Sequence, residues 1–122
     1  MNVAVTDANI FIDLVKLEMP DFLFGIGLTI YTTQEVIDQL NDAQAMKVVP
    51  FISAKKLTVY QFSADEIKAI QSLEALRALE FTDVTVAYLA RKIDAIVLTG
   101  DAALRKYCIS LHLEVRGHFM VV

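Results

Sequence analysis

Apolar and polar positions follow one another along this chain in two rhythms. Short apolar runs rich in β-branched residues fall at residues 2–6, 28–32, 57–62 and 95–99, with a brief one at 114–116. Runs of this length and composition predict buried strands. Between them the apolar positions recur at the helical period. That rhythm predicts helices over about residues 9–17, 33–43, 45–55, 63–79, 82–92 and 101–111. Met19-Pro20 breaks the first helix, because proline cannot continue one. Residues 21–25 then read as a short helical turn ended by Gly25 and Gly27. Thr33 and Thr82 are placed as helix N-caps, and Ser63-Ala64-Asp65-Glu66 reads as a capping box. The 45–55 stretch is interrupted or begun near Pro50. Strands alternating with helices predict a parallel sheet with helices on its faces, in one domain over residues 1–122.

Composition narrows the class. The chain has 122 residues, enough for one domain with a real core. Hydrophobic residues make up 56% and mean hydropathy is +0.50. Even so, no uninterrupted apolar run approaches the ~18 residues of a membrane span. Met1-Asn2-Val3 lacks the basic start and long apolar stretch of a secretory signal. The one cysteine, Cys108, allows no internal disulfide. These features predict a cytoplasmic protein with no membrane partner, whose surplus apolar residues serve an oligomer interface. A net charge of −4 and a pI near 5.0 argue against a generally basic nucleic-acid binder. They do not exclude a nuclease, since bound cations offset local acidic charge. The basic pairs Lys55-Lys56, Arg91-Lys92 and Arg105-Lys106 read first as solvated helix faces.

Three aspartates change the picture. Asp7 closes the first apolar run, Asp101 follows the run Ala95-Ile96-Val97-Leu98-Thr99-Gly100, and Asp83 opens a helix. Taken singly, each is a structural device: Asp7 and Asp101 as helix caps, Asp83 as a charge in a first turn that favours the helix dipole. Taken together, they are helix starts on one rim of a parallel sheet, where open α/β sheets build their sites. If the strands are neighbours, three carboxylates converge. An uncompensated cluster repels itself, and a hard divalent cation such as Mg²⁺ or Mn²⁺ relieves that repulsion. Thr6, Asn9 and Thr99 are polar neighbours able to hold the carboxylates in place.

Four ordered segments resemble the PIN-domain ribonucleases. Val5-Thr6-Asp7-Ala8-Asn9-Ile10-Phe11-Ile12-Asp13-Leu14 is similar to their opening motif. Phe81-Thr82-Asp83 followed by Val86-Ala87-Tyr88-Leu89-Ala90 resembles their central helix. Ala95-Ile96-Val97-Leu98-Thr99-Gly100-Asp101, then Leu104-Arg105-Lys106, resembles their later strand-and-helix segment, and Leu113-Glu114-Val115-Arg116-Gly117 their closing strand. The resemblance implies a three-layer α/β/α sandwich with a parallel sheet of about five strands. It implies Mg²⁺- or Mn²⁺-dependent cleavage of RNA phosphodiesters, with Asp7, Asp83 and Asp101 as metal ligands. Many such domains are toxins of bacterial toxin–antitoxin pairs and many dimerise, so an antitoxin protein and a second copy are the expected partners besides RNA. Lys16, Arg91 and Arg105 are candidates to bind the RNA backbone, on charge alone.

The chain departs from the family at a fourth acid. The family glutamate on the helix after strand two falls on Gln39. Rotation by about 100° per residue puts Val36, Ile37, Leu40 and Ala43 on the core face, with Gln39 flanking it and Asp38 on the solvated side. Glu35 lies one turn before Gln39 on nearly the same stripe. Glu35 is the best-placed replacement acid, and Gln39 the second candidate, through its amide oxygen or a bound water. The competing reading is a PIN-like module with reduced chemistry that binds RNA or a protein partner. Two other α/β classes fit less well. A receiver domain needs an acidic pair after strand one and a phosphoacceptor after strand three, where this chain has Asp7 alone and then Phe62-Ser63. A haloacid-dehalogenase-like phosphatase needs a second aspartate where Asn9 stands. His112 and His118 give no zinc pattern, and Cys108 reads as a buried thiol.

Overall fold

A computed structural model describes residues 3–16, 27 and 29–117. Five strands form one parallel sheet: β1 Val3–Thr6, β2 Thr29–Thr33, β3 Leu57–Tyr60, β4 Ile96–Leu98 and β5 Val115–Arg116. Their spatial order is β3-β2-β1-β4-β5. The helices are α1 Ala8–Lys16, α2 Gln34–Asp38, α3 Asp42–Ser53, α4 Ala64–Gln71, α5 Phe81–Ile93 and α6 Ala102–Ser110, with a 3₁₀ turn at Glu74–Arg77. Helices cover both faces, which makes the predicted three-layer α/β/α sandwich. The chain winds outward from β1 to β2 and β3, then returns across the sheet to β4 and β5. Right-handed crossovers in opposite directions place their helices on opposite faces. Accordingly α1 packs on α3, while α5 lies across β1, β2 and β4 beside α2, α4 and α6.

Strands buried on both faces carry continuous apolar runs instead of alternation. Ala4, Val5, Ile30, Val97 and Leu98 are all at or below 1% exposure. Helix α5 is enclosed along its middle, with Val84, Thr85, Val86, Ala87, Leu89 and Ala90 buried. Cys108 is buried in α6, as expected, and burial pushes its thiol up to about 12.

Several predicted boundaries are corrected. The helix expected over 33–43 is capped by Thr33 but ends at Asp38. Asn41 opens a new helix at Asp42 with a capping box to Gln44, so Ala43 belongs to α3 and is exposed. Pro50 lies inside α3 and neither begins nor interrupts it. The Ser63 capping box is present, yet its helix stops at Gln71 and a 3₁₀ turn follows. Glu80, not Thr82, is the N-cap of α5, and Thr82 lies in the first turn. The expected break at Met19-Pro20 and the turn over 21–25 lie outside the described residues.

Candidate metal centre

The order β2-β1-β4 puts the reversal of winding between β1 and β4. Helices leave these two strands toward opposite faces, so a crevice opens beyond their C-terminal ends. Register fixes what reaches it. Thr6 pairs with Leu98, and the Asp7 N–H donates to the Leu98 carbonyl at 3.3 Å. Asp7 therefore sits at the end of β1 directly beside the segment that leads to Asp101.

Asp7 is 1% exposed. Its Oδ1 accepts from the Ile10 N–H at 3.0 Å, and its Oδ2 accepts from the Thr99 hydroxyl. Burial holds its carboxyl above the ordinary aspartate range, and the charges of Asp101 and Asp13 add to that rise, while the two hydrogen bonds oppose it. Thr99 Oγ1 also accepts from the Asp101 N–H at 3.0 Å. One threonine thus ties the carboxylate after β1 to the backbone after β4. Asp101 caps α6, its Oδ2 accepting from the Leu104 N–H at 2.8 Å. Asp83 stands in the first turn of α5, half-buried. Burial first, then the charges of Asp101, Asp7 and Glu80, push its carboxyl up to about 6. The structural readings of these aspartates hold: Asp7 and Asp101 cap helices, and Asp83 lies in a first turn.

A cleft of about 370 Å³ opens here, lined by Asn9, Gln39, Glu80, Asp83 and Asp101 among others. Gln39 is the C-cap of α2, and its Nε2 donates to Thr82 Oγ1 at 2.9 Å. The other candidates are placed differently. Glu35 does not line the cleft; its Oε1 is buried without a hydrogen-bond partner. Helix α2 is too short to carry a stripe from Glu35 through Gln39 to Ala43. Thr6 donates to the Asp7 backbone carbonyl and accepts through its own carbonyl from Thr32, so it braces β1 and leaves the Asp7 carboxylate to Thr99. Asn9 is exposed at the cleft. Arg91 lies in a separate groove with Tyr88, Lys92 and Tyr107, eight residues or about 12 Å along α5 from Asp83. Arg105 is exposed on α6, with its guanidinium near Gly117. The side chain of Lys16 lies outside the described residues. Sequence reasoning missed Glu80, although its spacing of three from Asp83 puts the two on one helical face.

The donor set fits a hard divalent cation in kind: carboxylates and amide oxygens, with like charges crowded enough to raise Asp83. It does not form a closed cage, since among the described residues no three His, Cys, Asp or Glu side chains are grouped closely enough to hold a metal ion. Mg²⁺ suits such an open cleft, because it keeps several waters and uses one or two carboxylates together with substrate phosphates.

A doubly wound α/β sandwich with an acidic cleft at its switch point defines the class of fold. A sequence model described as a PIN domain matches residues 3–122, and the chain belongs to the PIN-domain family. Proteins of this family are generally nucleases and typically use divalent metal ions. Solved structures share the fold. A domain of a functionally unknown protein from Methanocaldococcus jannaschii is 16% identical, covering 97% of this chain and 91% of that one, with a TM-score of 0.62. The crystal structure of PAE2754 from Pyrobaculum aerophilum is 14% identical, covering 91% of this chain and 97% of that one, with a TM-score of 0.54. No curated protein sequence matches the chain. Among the described residues no helix is long and apolar enough to cross a membrane.

Proposed function

We propose that this protein is a divalent-metal-dependent endoribonuclease that hydrolyses RNA phosphodiester bonds. The observation that carries the reading is that Asp83 and Asp101, from two separate elements, line one cleft, with Asp7 tied to the same segment through Thr99. Such a cluster costs stability unless a cation sits in it. Mg²⁺ or Mn²⁺ bound here would supply an activated water and offset charge growing on the phosphate oxygens. Asp83 and Asp101, which line the cleft, would hold the ion together with waters and substrate phosphates, with Asp7 buried behind them and tied to Asp101 through Thr99. Asn9 and Gln39, at the cleft wall, offer amide groups to orient a phosphate or a water.

Asp101→Asn tests the reading. Asparagine caps a helix as well as aspartate does, so α6 should stay folded while the charge is lost. Mn²⁺-dependent cleavage of RNA is expected to fall by about a hundredfold or more, beyond what the loss of an outer partner costs. Cleavage at the wild-type rate in the variant would remove the assignment.

A second reading, a PIN-like module with reduced chemistry that binds RNA or a protein partner, is favoured by Gln39, which is neutral and tethered to Thr82. A folded wild-type protein that binds no Mn²⁺ at millimolar concentration selects it. On the first reading the protein acts in the cytoplasm as the toxin of a toxin–antitoxin pair and as a homodimer. Met46 and Val49 on α3 and Ile109 on α6, large apolar side chains left exposed, support an interface with an antitoxin or a second copy.

A further inference from the structure

Helices α5 and α6 both begin at the cleft and pack side by side as they run away from it. Asp83 of α5 and Ala103 of α6 line the cleft. Arg91 follows Asp83 by eight residues, and Tyr107 and Leu111 follow Ala103 by four and eight, so each set keeps to one stripe of its helix. At the far end of this seam the two stripes meet in a groove of about 330 Å³, lined by Leu73, Tyr88, Arg91, Lys92, Tyr107 and Leu111. That volume suits one group of small-molecule size and not an extended protein face. In a chain of net charge −4 the groove holds two cations, and no acid is among the described residues that line it. The two cations differ. Lys92 is engaged by Glu66 at 3.3 Å, and Glu66 in turn accepts from the Ser63 N–H and the Tyr60 hydroxyl. The Arg91 guanidinium is exposed and, among the described residues, makes neither a hydrogen bond nor an ion pair. The hydroxyls of Tyr88 and Tyr107 have no hydrogen-bond partner among the described residues either. The Tyr88 ring is held by an edge contact with Phe62, centroids 5.7 Å apart at 75°, and Phe62 packs on Tyr60 at 5.0 Å. Its orientation is therefore set by the fold before any ligand arrives.

We infer that this groove holds one nucleotide of a single-stranded RNA substrate away from the scissile bond, its base against the rings of Tyr88 and Tyr107 and its phosphate on Arg91. This rests on the reading of the protein as a ribonuclease whose reacting phosphate lies in the acidic cleft. A tyrosine ring stacks on any base, and a guanidinium meets phosphate oxygens through two parallel N–H bonds. A strand laid along the seam of α5 and α6 has about 12 Å to cover between Asp83 and Arg91. The groove answers a difficulty of the cleft. Asp83 and Asp101 repel phosphate until a cation is bound, and a cation and two aromatic rings at the far end of the seam attract the strand before that.

The probe is an unstructured, fluorescein-labelled single-stranded RNA, followed by anisotropy in EDTA so that no strand is cut, over a series of KCl concentrations. The proteins are wild type, Arg91→Gln, Tyr107→Leu and Tyr107→Phe. Arg91→Gln replaces an exposed side chain that makes no bond in the fold, so its unfolding midpoint should match wild type. Its affinity for the strand is expected to fall about tenfold. The slope of log affinity against log salt should become shallower by about 0.7, the share of one phosphate contact on a single strand. Tyr107→Leu should weaken binding about fivefold or more, as the loss of one stacked base does, with the slope unchanged. Tyr107→Phe keeps the ring and should bind as wild type does. Wild-type affinity and slope in Arg91→Gln overturn the inference and leave the ribonuclease reading standing. An equal loss in Tyr107→Leu and Tyr107→Phe overturns the stacking of a base. A free mononucleotide that binds wild type as tightly as the strand does overturns the place of the groove on an RNA substrate. Wild-type protein that binds no strand in EDTA overturns the inference, and Mn²⁺-dependent cleavage then decides the ribonuclease reading separately.

Discussion

Asp83 is half-buried among like charges, with its carboxyl pushed up to about 6. In the unfolded chain an aspartate titrates near its ordinary 3.8. Between these values the folded protein holds a proton that the unfolded chain has released, so stability falls as the pH rises through that window. Above about pH 6 both states are ionised and the full cost of the buried charge is present. Below about pH 4 both are protonated and the cost is absent. The two-unit shift would amount to about 3 kcal/mol, but screening of a half-exposed group reduces this to on the order of 1 kcal/mol. Asp83→Asn should therefore stabilise the metal-free protein by on the order of 1 kcal/mol at pH 7.5. The gain should shrink to nothing as the pH is lowered from 6 to 4, as followed by urea unfolding. A gain independent of pH would show that the charge cluster is not its source. Asp7 and Asp101 are legible from sequence at this scale, because an aspartate just past a strand and just before a helix has few other places to go. Glu80 was not legible as a residue of the cleft, because its place there depends on what α2 sets opposite it.

The break between α2 and α3 decides where Gln39 stands. Periodicity alone runs one helix from Thr33 to Ala43, since Val36, Ile37 and Leu40 keep the helical spacing. Asn41 overrides it: its side chain accepts from the Gln44 N–H at 2.8 Å, and Gln44 answers onto the Asn41 N–H at 2.9 Å. Two backbone donors are satisfied by starting a new helix, which ends α2 after five residues. Gln39 becomes a C-cap beside the first turn of α5 instead of one more position on a long stripe. Asn41→Ala should cost about 1 kcal/mol of stability in urea unfolding. An unchanged midpoint would mean that packing of α3, not the cap, sets the break. The same competition explains α5: Thr82 looked like its cap by residue type, yet the cap is Glu80 and the helix starts two residues earlier, and Thr82 bonds to Gln39 while Thr85 Oγ1 donates to its carbonyl at 2.5 Å.

For the whole molecule, the winding order β3-β2-β1-β4-β5 gathers residues far apart in sequence at one edge. Asp7 and Thr99 are 92 positions apart and share a hydrogen bond. An ion bound by the folded state alone stabilises it by mass action, about 2.7 kcal/mol at a hundredfold excess over Kd. For a domain of this size that raises the Tm by several degrees. Scanning calorimetry should show such a rise with Mn²⁺ in wild type and a much smaller one in Asp101→Asn. An equal rise in both would place the ion elsewhere on the protein.

The sequence by itself determined the class of fold, the number of strands and their succession along the chain, and the identity of three aspartates at helix starts, because these follow from local rules: apolar period, capping chemistry and the position of an acid after a strand. Tertiary structure alone decided that β1 and β4 are neighbours, that Thr99 bridges Asp7 and Asp101, that Glu35 stays out of the cleft, and that Gln39 and Glu80 face it together. Those outcomes depend on which elements pack side by side. Contacts between residues tens of positions apart are selected by burial of the whole core, and no local pattern in the chain encodes them singly.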